Sequence, residues 1–505
     1  MKTMLTHQKT LPFFATFLFA VFAASAQSAL SPIMPAPPAP QFSDAERQSE
    51  LVARRRAIAA AMKDKSILLL FSAEPKTYTG DVDYPYRQEN NFYYLTAIKK
   101  AGAFLVLTKS GESIREAIFL PDRDPAEEIW TGKMYSREDA QRLSGIKTVI
   151  SSTEITGLLD SIRSGSRFRS ADSSFELPAG LENLYLLLPQ KAFSEDAREY
   201  RQEAVFAASV KSLKVETVAP IFAELRQIKS DYEVRLLQHA IDITTEAIMR
   251  SMAVARNAKW EYEVQAETEF TFRRRNSDFW GYPSIVGCGP NATILHYEEA
   301  QGPVRNRDLL LMDVGAEYEH YTADVTRTFP VSGKFTREQA EIYQIVFDAQ
   351  EAVARAAKPG VKFDQLTAIA GKVIADGLLR LGLITEKSPD QVSIWFPHGL
   401  GHWLGMNVHD VGRYGRPLAP GMVFTNEPGI YVRPDALDYL PDTPASRAFK
   451  EKVRPAVEKY KNIGVRIEDD LLVTQTGVVW LTSKLPRSIQ DIEKFMTSLP
   501  PQLVH

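Results

Sequence analysis

The spacing of apolar positions changes character near Pro220. Before that point, short apolar runs at 67–71, 103–107, 117–120 and 184–188 alternate with stretches of helical period, such as the one after Ser136. Strands interspersed with helices predict an α/β domain. It opens with Ser43-Asp44-Ala45-Glu46, a capping-box pattern leading an amphipathic helix toward Met62. Beyond Pro220, a second capping box at Ser230 to Glu233 opens a helix that runs through Ala255. Further helices are predicted at 260–275, 336–357 and 364–381, the last two separated by Lys358-Pro359-Gly360. Strand-like runs at 309–314, 321–329, 422–432 and 464–473 lie between and after them. Helices grouped around a largely antiparallel sheet predict an α+β domain. The charged, proline-containing stretch 434–462 reads as an insertion or long loop.

These patterns divide the chain into 1–29, 30–41, 42–219 and 220–505. The first segment has Lys2 and Lys9 ahead of an apolar stretch at 11–24, then small residues through Ala29. That order is expected of a cleaved secretory signal peptide, and the stretch is short for a membrane span. The expectation is export to the periplasm or the extracellular space, with no membrane attachment after cleavage. Residues 30–41 are rich in proline and read as an extended tether.

Composition narrows the function. Across 505 residues, 44% are apolar and 24% charged, and the net charge of −3 is mixed in sign along the chain. No nucleic-acid partner is expected from that balance. Cys288 is the single cysteine, so no intramolecular disulfide forms, and Gly287 and Gly289 beside it read as a tight strand end.

The chemistry concentrates in four places. In the run from Met312 to Val325, a tight turn at Tyr318-Glu319 would pair 317 with 320, 315 with 322, and Asp313 with Asp324. Two carboxylates facing each other about 5 Å apart in apolar strands are destabilising unless a cation lies between them. The segment from His398 to Asp410 presents His398, His402 and His409 along a chain whose glycines at 399, 401 and 405 disfavour a helix. It also lacks the glutamate of the helical zinc-protease signature, so it reads as a loop that approaches a ligand closely. Glu427 and Glu468 stand inside apolar strand-like runs, where an unpaired carboxylate is costly. Arg466, two residues before Glu468 on the same strand face, is placed to orient it. Four carboxylates and an imidazole form a hard donor set suited to manganese, cobalt or zinc pairs.

The order Asp, Asp, His, Glu, Glu in the contexts MDVGAEY, TADVTRTFP, HGLGHWLGMNVHD, TNEPGIYV and VRIEDDLLVT resembles the pita-bread metallopeptidases. Within them it looks most like the aminopeptidase P branch, with prolidase next. The stretch from Asp83 to Leu95 is similar to the matching part of bacterial members. The resemblance implies a creatinase-like amino-terminal α/β domain and an α+β pita-bread catalytic domain. It also implies hydrolysis of the amino-terminal Xaa-Pro bond of proline-containing peptides by a hydroxide activated by two divalent ions, foremost Mn2+, with Zn2+ or Co2+ as alternatives. Asp313 would bind one ion, Asp324 and Glu468 would bridge both, His402 would bind the second, and Glu427 would act as ligand and proton shuttle. His296 would steady the scissile peptide, His409 would contact the substrate carbonyl, and His398 would line the pocket. A homo-oligomer, dimer or tetramer, is implied as well. Tyr93 departs from the family, which carries tryptophan at that place, a residue thought to reach a neighbouring subunit. Three rivals stand beside this reading, of which a methionine aminopeptidase usually lacks so large an amino-terminal domain. A prolidase would need a carboxylate clamp, for which Arg413 and Arg433 are candidates, and an exported non-catalytic binding protein would have lost its metal ligands.

Overall fold

The computed structural model describes residues 32–188 and 199–499. Residues 1–29, where a signal peptide is expected, lie outside the described residues, and none of the described helices is long and apolar enough to cross a membrane.

The amino-terminal part holds β1 (Ser66–Phe71), β2 (Thr77–Thr79), β3 (Val82–Asp83), β4 (Phe104–Ser110), β5 (Ser113–Leu120), β6 (Val149–Ser151), β7 (Asn183–Leu186) and β8 (Lys214–Thr217). Six of them form one mixed sheet in the order β6-β5-β4-β1-β7-β8, while β2 and β3 make a separate hairpin. The sheet is antiparallel at its centre, where β4 pairs with β1 and β5, and parallel toward both edges. All six residues of β1 are buried, as the unbroken apolar run from Ile67 to Phe71 requires of a strand covered on both faces. The helix Asp44–Ala61 begins at Ser43, whose hydroxyl accepts from the Glu46 N–H at 3.1 Å.

The carboxy-terminal part contains β9 (Phe279–Trp280), β10 (Ile285–Cys288), β11 (Leu309–Val314), β12 (Ala316–Tyr318), β13 (Tyr321–Thr322), β14 (Val325–Pro330), β15 (Val423–Asn426), β16 (Gly429–Val432), β17 (Ile463–Arg466), β18 (Asp469–Val473) and β19 (Val478–Trp480). Every pairing among them is antiparallel, as expected for the α+β domain. The helices Asp231–Ala255, Glu261–Arg274, Arg337–Ala356 and Phe363–Leu381 stand within a residue of their predicted places. Ser230 and Glu233 complete the reciprocal capping box at the first.

Three expectations need correction. The stretch 434–462 contains the helix Pro444–Tyr460 instead of only a loop. Pro444 sits in its first turn, where no amide donor is needed. Thr443 caps it, and Val453, Val457 and Tyr460 recur on one buried face. The described part of the proline-rich segment is docked and is not a free tether. Ile33 is buried against the carboxy-terminal core, and the Ala36 N–H donates to Glu246 Oε2 at 2.7 Å. The third correction concerns the hairpin after β11. Glu319 and His320 both take positive φ, of 48° and 68°, so the two-residue turn lies one position further along. The register becomes Tyr318↔Tyr321 and Glu317↔Thr322, and Asp313 faces Thr326 rather than Asp324. A shift of two in the partner preserves the alternation of faces, so both aspartates still point the same way.

The two parts of the chain are bolted together beside this hairpin. Arg87 Nη2 donates to Glu317 Oε2 at 2.8 Å, and Asn90 Nδ2 to the Met406 carbonyl at 3.1 Å. Tyr93 stacks on His320 with ring centroids 3.9 Å apart and hydrogen-bonds Glu319, contacts made within its own chain.

Candidate active site

Three of the four site carboxylates sit at the places where strands change partners, while Asp313 lies within β11. Asp324 lies between β13 and β14, Glu427 between β15 and β16, and Glu468 between β17 and β18. At each break the ladder moves to a different neighbour, and the side chain at the break points into the gap that opens. Close backbone approach is built in with glycine. A Cβ on Gly401 would meet the Thr425 carbonyl oxygen at 2.2 Å, and one on Gly315 that of Ala323 at 1.9 Å. Gly401 thereby lets the histidine loop run beside β15, where the Thr425 N–H donates to the His402 carbonyl at 2.9 Å and the Glu427 N–H to the Leu400 carbonyl at 3.0 Å. Trp403, fully buried against Phe363 and Phe424, anchors this loop from below.

All nine residues singled out in the sequence line one cavity of about 290 Å³. Asp313 Oδ2 accepts from Arg466 Nη2 at 2.6 Å. The Tyr282 hydroxyl lies 2.5 Å from Asp313 Oδ1 and 2.6 Å from Asp324 Oδ1. His402 places Nε2 3.2 Å from Asp324 Oδ2 and 3.3 Å from Glu427 Oε1. Its Nδ1 faces the Trp403 carbonyl at 3.1 Å. Glu468 Oε2 accepts from Thr326 Oγ1 at 2.7 Å. Arg466 does not hydrogen-bond Glu468 as its strand position suggested. The chain leaves one sheet at Arg466 and enters another at Asp469, so the simple two-residue alternation fails between them. Its Nε instead donates to Thr326 Oγ1 at 3.1 Å, so Arg466 and Glu468 are linked through that hydroxyl.

The donor chemistry fits divalent cations. A phenol carries one proton, yet the Tyr282 oxygen touches two carboxylates. A carbonyl can only accept, so His402 Nδ1 carries the hydrogen and Nε2 presents its lone pair to two carboxylate oxygens. A cation among these atoms resolves both conflicts. Without one, protons must serve. Burial and the charge of Asp313 push the Asp324 carboxyl up to about 7. Burial, then Asp324, Glu427 and Asp313, push Glu468 well above the carboxylate range. For His402 burial acts downward, but the hydrogen bonds and charges of Asp324 and Glu427 outweigh it and push the imidazole well above its ordinary value. Asp324, His402 and Glu468 each offer a ligand atom, all within 4.8 Å of one another.

The remaining histidines differ in setting. His398 Nδ1 donates to the Gly399 carbonyl at 2.8 Å, and Nε2 accepts from the Tyr431 hydroxyl at 2.9 Å, which itself accepts from Arg466 Nη1. Burial pushes the His398 pKa down, which keeps the ring neutral. His409 stands edge-on to His402 with centroids 4.3 Å apart, and burial pushes its pKa down too. His296 is exposed at the cavity mouth. Sequence reasoning missed Tyr282, which nothing in its neighbourhood marks. It also missed Thr326, which the corrected register would have placed opposite Asp313. The two candidate clamp arginines are occupied elsewhere. Arg413 pairs with Glu224 and Arg433 with Asp435, and neither lines the cavity.

Comparison with known proteins agrees with this geometry. Residues 51–169 match the model of the aminopeptidase P N-terminal domain, and residues 235–475 that of metallopeptidase family M24. The Xaa-Pro aminopeptidase of Escherichia coli K12 is 34% identical over 474 residues, covering 91% of this chain and 100% of its own. Human Xaa-Pro aminopeptidase 3 is 31% identical over 442 residues, covering 85% of this chain and 80% of its own. Among solved structures, E. coli aminopeptidase P with the inhibitor Pro-Leu superposes with a TM-score of 0.76 at 32% identity, covering 91% of this chain and 99% of that one. The zinc-substituted E. coli enzyme in complex with product gives the same TM-score at 33% identity, covering 92% and 100%. With both family matches in sequence and a ligand set that the fold gathers into one cavity, this chain belongs to metallopeptidase family M24 and carries the aminopeptidase P N-terminal domain.

Proposed function

We propose that this chain removes the first residue from peptides whose second residue is proline, using two divalent ions, Mn2+ foremost and Zn2+ or Co2+ as alternatives. The observation that carries the reading is the placement of His402 Nε2 between Asp324 and Glu427, inside a cavity lined by all nine candidate catalytic and metal-ligating residues. The relatives' names and the Pro-Leu and product complexes of the structural neighbour support the substrate class.

In this reading Asp313, Asp324, His402, Glu427 and Glu468 would hold the ions. Such ions lower the pKa of water toward neutrality and polarise a carbonyl. Arg466 fixes Asp313 through Oδ2, and Thr326 fixes Glu468, so these side chains are ordered before substrate arrives. Glu427 takes the proton of the attacking water and delivers it to the proline nitrogen, which lacks an N–H of its own. His409 and His296, exposed on the cavity wall, donate to the substrate carbonyl as charge develops on it. His398 keeps its ring neutral and fixed through Tyr431, so it shapes the wall without adding charge.

The same reading includes export, supported by the basic, apolar and small-residue order of 1–29, and assembly into a homo-oligomer, supported by the family resemblance. The test is to strip the protein with a chelator, restore single metals, and compare an Arg-Pro-Pro tripeptide with Xaa-Pro dipeptides. Metal-dependent cleavage of the tripeptide supports the proposal. Cleavage of dipeptides alone, or activity indifferent to metal removal, contradicts it.

A further inference from the structure

The catalytic cavity continues into a recess of about 390 Å³, the two sharing Tyr282, Pro283, Val408 and His409. Charged side chains line both, and among the described residues nearly all are engaged. Arg87 pairs with Glu317, Arg466 with Asp313, and His402 with Asp324 and Glu427, while Glu468 is held by Thr326. Among the lining carboxylates and guanidinium groups, Glu298 alone has no hydrogen bond or ion pair among the described residues.

Its position is fixed by its neighbour. Tyr297 is buried with Ile285, Leu311 and Tyr431, and its hydroxyl accepts from the Gln301 N–H at 3.1 Å. The flanking residues His296 and Glu298 are both exposed and both line the cavity. The adjoining recess presents Phe279 and Trp280, and its carboxylate and guanidinium groups are the paired Glu317 and Arg87. An unpaired carboxylate on the wall of a substrate cavity gives it a means of discriminating between peptides by charge.

We propose that Glu298 is a specificity-determining residue that favours substrates carrying a lysine or arginine side chain at the first or the third position. The proposal rests on the peptidase reading above. A carboxylate at a solvent-exposed mouth attracts a guanidinium or ammonium group modestly, and the attraction weakens as salt rises. It would act on binding more than on the chemical step, and so on KM more than kcat.

The experiment compares kcat/KM for Arg-Pro-Ala against Leu-Pro-Ala, and for Ala-Pro-Arg against Ala-Pro-Leu, in the metal-loaded protein at low salt. Glu298→Gln is expected to lower the arginine-to-leucine ratio in one of the two pairs by about threefold to fivefold, and Glu298→Lys by about tenfold or more. The pair that responds identifies the side of the bond that Glu298 serves. Ratios unchanged in both pairs, including an equal loss on all four peptides, overturn the proposal. If the unsubstituted protein cleaves none of them, the peptidase reading itself fails, a result distinct from an unchanged ratio.

Discussion

Arg466 Nη2 lies 2.6 Å from Asp313 Oδ2, and both side chains are buried. The guanidinium also reaches Thr326 and Tyr431, so one cation organises a carboxylate, the hydroxyl that holds Glu468, and the phenol that holds His398. Lysine offers a point charge and cannot reproduce that fork. Arg466→Lys is therefore expected to weaken metal affinity by about 10–100-fold, measured by titrating metal into the stripped protein. Affinity equal to that of the unsubstituted chain would remove Arg466 from the organising role.

His296 and His409 are predicted to act on substrate and not on metal. Each alanine variant should retain its metal content while kcat falls on the order of 10²-fold or more. Metal analysis beside steady-state kinetics checks this. Unchanged kcat in both variants would make them packing residues of the cavity wall.

Much of this was legible in the sequence, and the failures share a cause. The four apolar runs of the amino-terminal sheet and the four long helices stand where their periodicity put them, because local pattern and burial agree there. The nine site residues converge on one cavity because buried carboxylates in apolar runs have few physical explanations. The strand breaks at Asp324, Glu427 and Glu468 were not legible. Residues on both sides of each break are equally buried, and the change of partner strand is a tertiary event. Only Pro428, which cannot donate to a ladder, marks one of them in the sequence. The hairpin register slipped because Glu319 and His320 are not the glycine or asparagine that usually marks a left-handed turn. The helix Pro444–Tyr460 was hidden by its two prolines.

The loop bearing His409 is tied down by a buried ion cluster. Arg226 Nη2 meets Asp410 Oδ1 at 2.5 Å and Asn407 Oδ1 at 2.7 Å, its Nη1 meets Asn91, and Lys229 Nζ meets the other Asp410 oxygen at 3.2 Å. Breaking a buried pair strands its partner, so Arg226→Met should cost about 3 kcal/mol of stability. Denaturant unfolding of the metal-loaded protein measures it. A loss under about 0.5 kcal/mol would mean that Lys229 alone satisfies Asp410.

Glu203 provides a pH prediction away from the metal ligands. Burial, reinforced by the charges of Glu89, Glu199 and Glu74, pushes its carboxyl up from 4.5 to about 8. An acid whose pKa is raised on folding binds its proton more tightly in the folded state. Its stabilising share is complete below about pH 4.5 and is lost as pH rises through about 8. Thermal melts between those values should show stability declining in the unsubstituted protein, and Glu203→Gln should flatten that decline. Parallel pH profiles for the two proteins would contradict the assignment.

The central claim is release of a single residue from a chain of any length with proline second. Arg413 and Arg433 are paired away from the cavity, so neither closes its far end with a charge. Mass spectrometry of a proline-second pentapeptide incubated with the metal-loaded protein tests this most directly. The account predicts the free first residue and an intact tetrapeptide beginning with proline. An intact pentapeptide alongside a hydrolysed Xaa-Pro dipeptide would contradict it.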